Sequence, residues 1–351
     1  MPRNSPQMRA LVESLFQASH PHDPDGSMGA ELELIPFRDR SHQRVLIDAS
    51  DNGPGSADII RDAGSTRGWK EETDSYGAPS WATPDGGHIF YEPGGQIEIS
   101  SPVFPSAAAL GRFLTETVNA IRDSARAADV VFLSSGVDPY NSLGTVPLQL
   151  HAPRYEAMTR YFDSIGASGA RMMRQTASLQ VSVELGSHPL ERWKLLNSLA
   201  PYLIAAYANS PDYEGSPTGY ASYRARLWQT LDNTRTGLPF DAADPIAAYT
   251  RFAEHAGRIL DDDAAHLTTL FPEIRPRGYF EIRSMDSMEP DRFGDALHFI
   301  SRLVHDEDLA AEAQEIVGNP DASLLPRAAE FGRADPRIDS PLKVLDILAA
   351  D

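Results

Sequence analysis

Four stretches of the chain carry acidic or amide side chains at every second position. Glu31 and Glu33 fall in GAELELI (29–35), Gln96 and Glu98 in YEPGGQIEI (91–99), Gln180 and Glu184 in SLQVSVEL (178–185), and Glu281, with Arg277 and Arg283, in and beside GYFEIR (278–283). A period of two belongs to a β-strand, so each set shares one face of its strand. A single half-buried strand turns such a face to water; four of them can converge on one cavity. Carboxylates roughly 4 Å apart repel by ~4 kcal/mol at an effective dielectric of ~20, so convergence demands compensating cations. Glu and Gln oxygens suit Mg²⁺ or Mn²⁺, and the ten histidines show no H-E-x-x-H spacing that would favour zinc. Magnesium in turn implies phosphate.

The elements that must position these side chains alternate along the chain. Pro105 and Ser106 open a helix whose apolar residues Leu110, Phe113, Leu114, Val118 and Ile121 are three or four apart, as the cover of a sheet requires. VVFLS (130–134) reads as a buried strand, and further helices are predicted over 191–208, 245–260 and 291–305, the second capped by Asp244. Ser50 to Tyr76, rich in Gly, Ser and Asp, reads as a long connection. No internal repeat and no linker divides the chain, so one α+β domain spanning 1–351, with a mixed or antiparallel sheet, is expected.

Composition removes several alternatives. The 351 residues carry 31 Lys plus Arg against 50 Asp plus Glu, a net charge of −19 that disfavours nucleic acid as a partner. Cysteine is absent, which excludes disulfides, thiolate metal sites and Cys nucleophiles, and fits a cytoplasmic location. No apolar stretch approaches the roughly 20 residues of a membrane span. Lysine occurs only at Lys70, Lys194 and Lys343, none after a G-x-x-x-x-G run, so phosphate falls to arginine, backbone or metal. No G-x-S-x-G elbow and no strand-linked G-x-G-x-x-G is present. The Asp23, Asp25, Gly26 cluster lacks the ligand spacing of a calcium loop, and Asp261 to Asp263 reads as a solvated loop or helix end.

Longer phrases carry a family resemblance. EPGGQIEISSP (92–102), MMRQTASLQVSVEL (172–185), ANSPDYEGSPTGYASYRARLWQTLDNTRTGLPF (208–240) and HLTTLFPEIRPRGYFEIRSMDS (266–287) resemble, in order, the motifs of the glutamate-cysteine ligases of plant and bacterial type. The wording is most similar to the bacterial branch that serves ergothioneine synthesis.

That resemblance implies a glutamine-synthetase-like fold, a curved and largely antiparallel sheet forming an open barrel around the active site with helices outside. It implies ATP-dependent phosphorylation of the glutamate side-chain carboxylate, followed by attack of the amino group of cysteine on the acyl phosphate. Carried over by motif, Glu31, Glu33, Glu98 and Glu281 would hold the metal, and Glu31, Glu33, Gln96 and Arg283 the ATP. Arg224 would meet the glutamate α-carboxylate, with Met173, Thr176, Gln180 and Arg235 lining the amino-acid pockets; Arg277, Arg283 and Glu281 would act on the transition state. Glu184 stands where the family commonly has Asp, and Ser284 and Met285 depart from the usual residues after Arg283. These departures leave open another amine as acceptor, or a non-catalytic relative that binds nucleotide or glutamate. Small molecules are the expected partners, and the expected state is a monomer or homodimer.

Overall fold

A computed structural model describes residues 6–18, 26–74, 76–241 and 243–350. Its centre is a nine-stranded sheet, whose strands are β1 (Met28–Arg38), β2 (Lys70–Thr73), β3 (Pro79–Ala82), β4 (His88–Tyr91), β5 (Ile97–Ser100), β6 (Val130–Leu133), β7 (Ser178–Val183), β8 (Ile274–Pro276) and β9 (Phe280–Asp286). The order is β8-β9-β7-β1-β5-β4-β3-β2, with β6 paired to the far half of β1, and every pairing is antiparallel. The expected α+β class with a largely antiparallel sheet is therefore observed, and the sheet is not closed: β8 and β2 form its two ends.

Alternation along the strands sorts the side chains. Leu32 and Leu34 of β1, Ile97 and Ile99 of β5, Leu179 and Val181 of β7 and Phe280 and Ile282 of β9 are fully buried on one face. The helices Ala107–Ala125 and Pro189–Ala206 pack there, and Pro290–His305 packs against both of them. Burying one large aliphatic side chain contributes ~1.5–3 kcal/mol, so a one-residue slip of β1 would reverse a large apolar gain. The opposite face is thereby committed to Glu31, Glu33, Gln96, Glu98, Gln180 and Glu281.

The segment from Ser50 to Tyr76 is more ordered than its composition indicates. It contains the helix Ser56–Ser65 and β2. Asp58 accepts from the Gly55 N–H at 3.0 Å, and Ala57, Ile60 and Ala63, three apart, are buried against the Ala107–Ala125 helix. The predicted 245–260 helix stops at His255. Asp262 caps the short helix Asp263–Leu267, while Asp23 and Asp25 lie outside the described residues. Among the described residues, no helix is long and apolar enough to cross a membrane.

Candidate active site

Strand register brings the acidic residues together. Glu33 of β1 stands opposite Glu98 of β5, and Glu31 is flanked by Ser100 on one side and Gln180 of β7 on the other. Glu281 of β9 stands opposite Ser182. Like charges directly across a ladder destabilise a sheet, so the Glu33–Glu98 pairing is a cost that folding alone does not explain.

Glu92 joins them from a turn. In E-P-G-G-Q the Gly95 N–H donates to the Glu92 carbonyl at 2.8 Å, and the Glu92 N–H to the Gln96 carbonyl at 2.8 Å. Gly95 has φ +80°, and a Cβ on Gly94 would collide with the Arg174 carbonyl, so both positions require glycine. Gln96 braces the turn from below: its Nε2 donates to the Thr176 carbonyl at 2.8 Å, and its Oε1 accepts from the Gly94 N–H at 3.0 Å. The result is a set of carboxylate oxygens, one each from Glu33, Glu92 and Glu98, all within 4.8 Å of one another.

Burial pushes the Glu33 carboxyl up to about 7, with repulsion from Glu92 adding to it and hydrogen bonds from Ser178 opposing it. Burial likewise raises Glu92, and raises Glu98 well above the carboxylate range, with Glu31, Glu92 and Glu33 adding repulsion there. Glu31 is raised by burial and by Glu281. Four carboxyls that resist ionisation unless a cation arrives, with only oxygen donors, fit a hard divalent ion. The sign of the pH dependence follows. Between the ordinary 4.5 and about 7, the folded state holds more protons at Glu33 than the unfolded chain does. Stability without divalent cation should therefore fall as pH rises across that window, and added Mg²⁺ should restore more of it at the upper end. Urea midpoints between those pH values, with Mg²⁺ or chelator, measure it; a Mg²⁺ increment independent of pH would contradict the assignment.

Arginines occupy the other end of the same chamber. Glu281 is buried, yet Arg275 at 2.7 Å and Arg283 at 2.5 Å, together with Arg277, outweigh that burial and hold its carboxyl well below the usual range. Arg283 also donates to Gln180 Oε1 at 2.6 Å, and its Nε is buried without a partner among the described residues. A register shift between Ile282 and Met285 marks a bulge there, where Ser284 donates to the buried Glu273 at 2.9 Å. Arg224, from the helix Tyr223–Gln229, lies 4.9 Å above Trp228 and 3.8 Å from buried Asp286.

These groups line a chamber of about 200 Å³. Glu31, Glu33, Gln96, Glu98, Met173, Thr176, Gln180, Arg224 and Arg283 all reach its wall, as the sequence led one to expect. Three expected residues are placed differently. Glu281 stands behind Arg275 and Arg283, outside the Glu33–Glu92–Glu98 group, because its charge is already matched by arginines. Arg277 is 45% exposed at the β8–β9 turn, where its partner is Glu281. Arg235 does not reach the chamber: it is fully buried, donates to Asp232, Thr269 and Gly257, and packs 4.6 Å over the Tyr161 ring. It braces the loop that follows Trp228.

The profile of glutamate-cysteine ligase family 2 (GCS2) matches residues 27–331, which include every group in this chamber. The chain belongs to that family. It is 32% identical over 306 residues to the glutamate–cysteine ligase EgtA of Mycolicibacterium smegmatis, covering 76% of this chain and 71% of that protein. The EgtA of Mycobacterium tuberculosis H37Rv is 29% identical over 323 residues, covering 76% and 73%. Among solved structures, a Francisella tularensis glutamate–cysteine ligase in complex with AMP aligns with a TM-score of 0.44 at 10% identity, covering 93% of this chain and 82% of that one.

Within this GCS2 protein, three chamber residues escape a reading of strand faces. Glu92 shares the parity of Gln96 and Glu98 and heads the E-P-G-G-Q phrase, so parity alone could have added it. Arg275 has the same parity as Arg277. Arg154, in the first turn of the helix Pro153–Asp163, had no such signal, because only tertiary packing brings it to Glu92. Two further cavities adjoin the chamber. One of about 190 Å³ shares Glu31 with it and is walled by Ser100, Ser101, Ser182, Gly278 and Tyr279. The other, about 650 Å³, shares Glu92, Glu98, Arg154 and Tyr155 with it.

Proposed function

We propose that this protein joins glutamate to cysteine at the expense of ATP, forming γ-glutamylcysteine, with 1–351 acting as one catalytic unit. The observation that carries the reading is the single chamber in which a carboxylate group suited to a divalent cation faces an arginine cluster suited to phosphate. One oxygen of the glutamate side-chain carboxylate attacks the γ-phosphorus of ATP, and ADP leaves. The amine nitrogen then attacks the acyl carbon, the amide forms, phosphate departs and the amine loses a proton.

Phosphoryl transfer of this kind needs positioning and charge stabilisation more than covalent help. Glu33, Glu92 and Glu98 would hold one divalent cation, with Glu31 beside Glu281 as a second anchor point. Bound there, Mg²⁺ or Mn²⁺ would neutralise phosphate charge. Arg283, with an unpartnered Nε and a rigid fork fixed by Glu281 and Gln180, is placed to stabilise charge that develops on the transferred group. Arg275 sits beside it on the chamber wall. Arg224, backed by Trp228, meets the α-carboxylate of glutamate.

Incubation with ATP, Mg²⁺, glutamate and cysteine should yield ADP and γ-glutamylcysteine, identified by mass spectrometry; no ADP with any divalent metal would remove the reading. Arg224→Ala should raise the KM for glutamate by about 10–100-fold, the range for a lost charge-assisted hydrogen bond, with the KM for ATP little changed. Equal shifts in both constants would move Arg224 to another role.

A further inference from the structure

Arg44 is buried and charged, and the scheme so far gives it no part. It lies just after β1, in an antiparallel bridge to Phe37 and with its guanidinium 5.7 Å from that ring. Asp138 is its ion-pair partner at 3.3 Å, and both side chains are almost wholly shielded from water. A buried pair of this kind gains little stability over apolar residues of the same volume, so its presence calls for another reason. The other terminal nitrogen supplies one: Nη2 donates to the Gly94 carbonyl at 2.8 Å, on the turn that carries Glu92.

Gln149 reaches the same carbonyl from a different loop. Its Nε2 donates to the Gly94 carbonyl at 2.8 Å, its backbone N–H donates to the Pro93 carbonyl at 2.7 Å, and its Oε1 accepts from the Ile47 N–H at 2.8 Å. The Gly94 carbonyl is thus held by two side chains from outside the turn, while Gln96 holds the Gly94 N–H from within it. Glu33 and Glu98 are aimed by paired strands, whereas Glu92 depends on the turn between β4 and β5. Magnesium demands near-ideal octahedral geometry with ligands at about 2.0–2.1 Å, so a ligand on a turn needs the bracing that a ladder supplies elsewhere.

We propose that Arg44 and Gln149 are positioning residues for the divalent cation: they fix the Gly94 carbonyl and, through it, the place of the Glu92 carboxylate beside Glu33 and Glu98. Neither lines the chamber, so each acts through the turn. The proposal rests on the cation reading above and adds what that site needs beyond its ligands.

Gln149→Met keeps the length of the side chain and removes both of its hydrogen bonds. Mn²⁺ titrations followed by the paramagnetic resonance of the free ion should show affinity lower by about 10–100-fold, the range for a lost support of a metal ligand. In a Glu92→Gln background the same substitution should change the affinity by less than about twofold, because the ligand it positions is already gone. Arg44→Lys, which keeps the charge toward Asp138 but has one nitrogen for two acceptors, should follow the same pattern. If one of the two variants does not fold, the other decides. A loss of equal size in both backgrounds, unchanged affinity in a folded single variant, or failure of both variants to fold would overturn the proposal. Absence of saturable Mn²⁺ binding to the unmodified protein would instead remove the cation reading, and this role with it.

Discussion

Glu98→Gln is expected to abolish turnover while the protein stays folded. Glu98 is the carboxyl pressed by burial and then by three neighbours, Glu31, Glu92 and Glu33, so in the folded chain it favours its neutral form. Glutamine matches that form in shape and removes the ligand charge. Turnover should therefore fall by about 10²-fold or more, on the scale seen when one preorganised electrostatic contact is lost. The thermal midpoint without metal should hold, because glutamine matches the neutral carboxyl, and the stabilisation by Mg²⁺ expected of the unmodified protein should shrink. Steady-state ADP release and thermal melts with and without Mg²⁺ read both effects. Near-normal turnover would exclude Glu98 from the metal group.

Arg283→Lys should be comparably damaging although the charge is kept. The guanidinium reaches Glu281 and Gln180 through one nitrogen while the residue lines the chamber and its Nε has no partner among the described residues, a geometry that a single ammonium cannot reproduce. A loss of about 10²–10³-fold in kcat is expected, the cost of one transition-state donor, with smaller changes in the KM values for ATP and glutamate. Loss expressed entirely in KM would assign Arg283 to ground-state binding.

The parts of the site that lie on strands were legible because a strand fixes the direction of every second side chain. Leu32, Leu34, Ile97 and Ile99 point one way, so Glu31, Glu33 and Glu98 must point the other. The convergence of those faces depended on strand order, β9-β7-β1-β5, which no local period encodes. The period of two puts Glu281 on the chamber face, and the family motif implies a metal role for it, but neither shows which cations stand beside it. Arg275, opposite it in the register, shows that the charge is first matched within the sheet.

Residues on turns and helices were harder to read. Arg235 sits in a conspicuous D-x-x-R-T-G phrase, and the phrase turns out to fold around it: Asp232 holds Nε at 2.8 Å and also accepts from Tyr161 at 2.8 Å. Arg154 carried no local pattern, because only tertiary packing brings the start of the helix Pro153–Asp163 to the chamber wall. The ordered helix Ser56–Ser65 was hidden by Gly, Ser and Asp, although Ala57, Ile60 and Ala63 have the spacing of a buried face.

The central claim is that Glu33, Glu92 and Glu98 meet in a buried space where a divalent cation replaces protons. Calorimetric titration of Mn²⁺ into the protein near pH 7, in two buffers of different ionisation enthalpy, tests it directly. Saturable binding that releases protons, and that Glu98→Gln weakens, is predicted; absence of binding, or binding with no proton release, would contradict the claim.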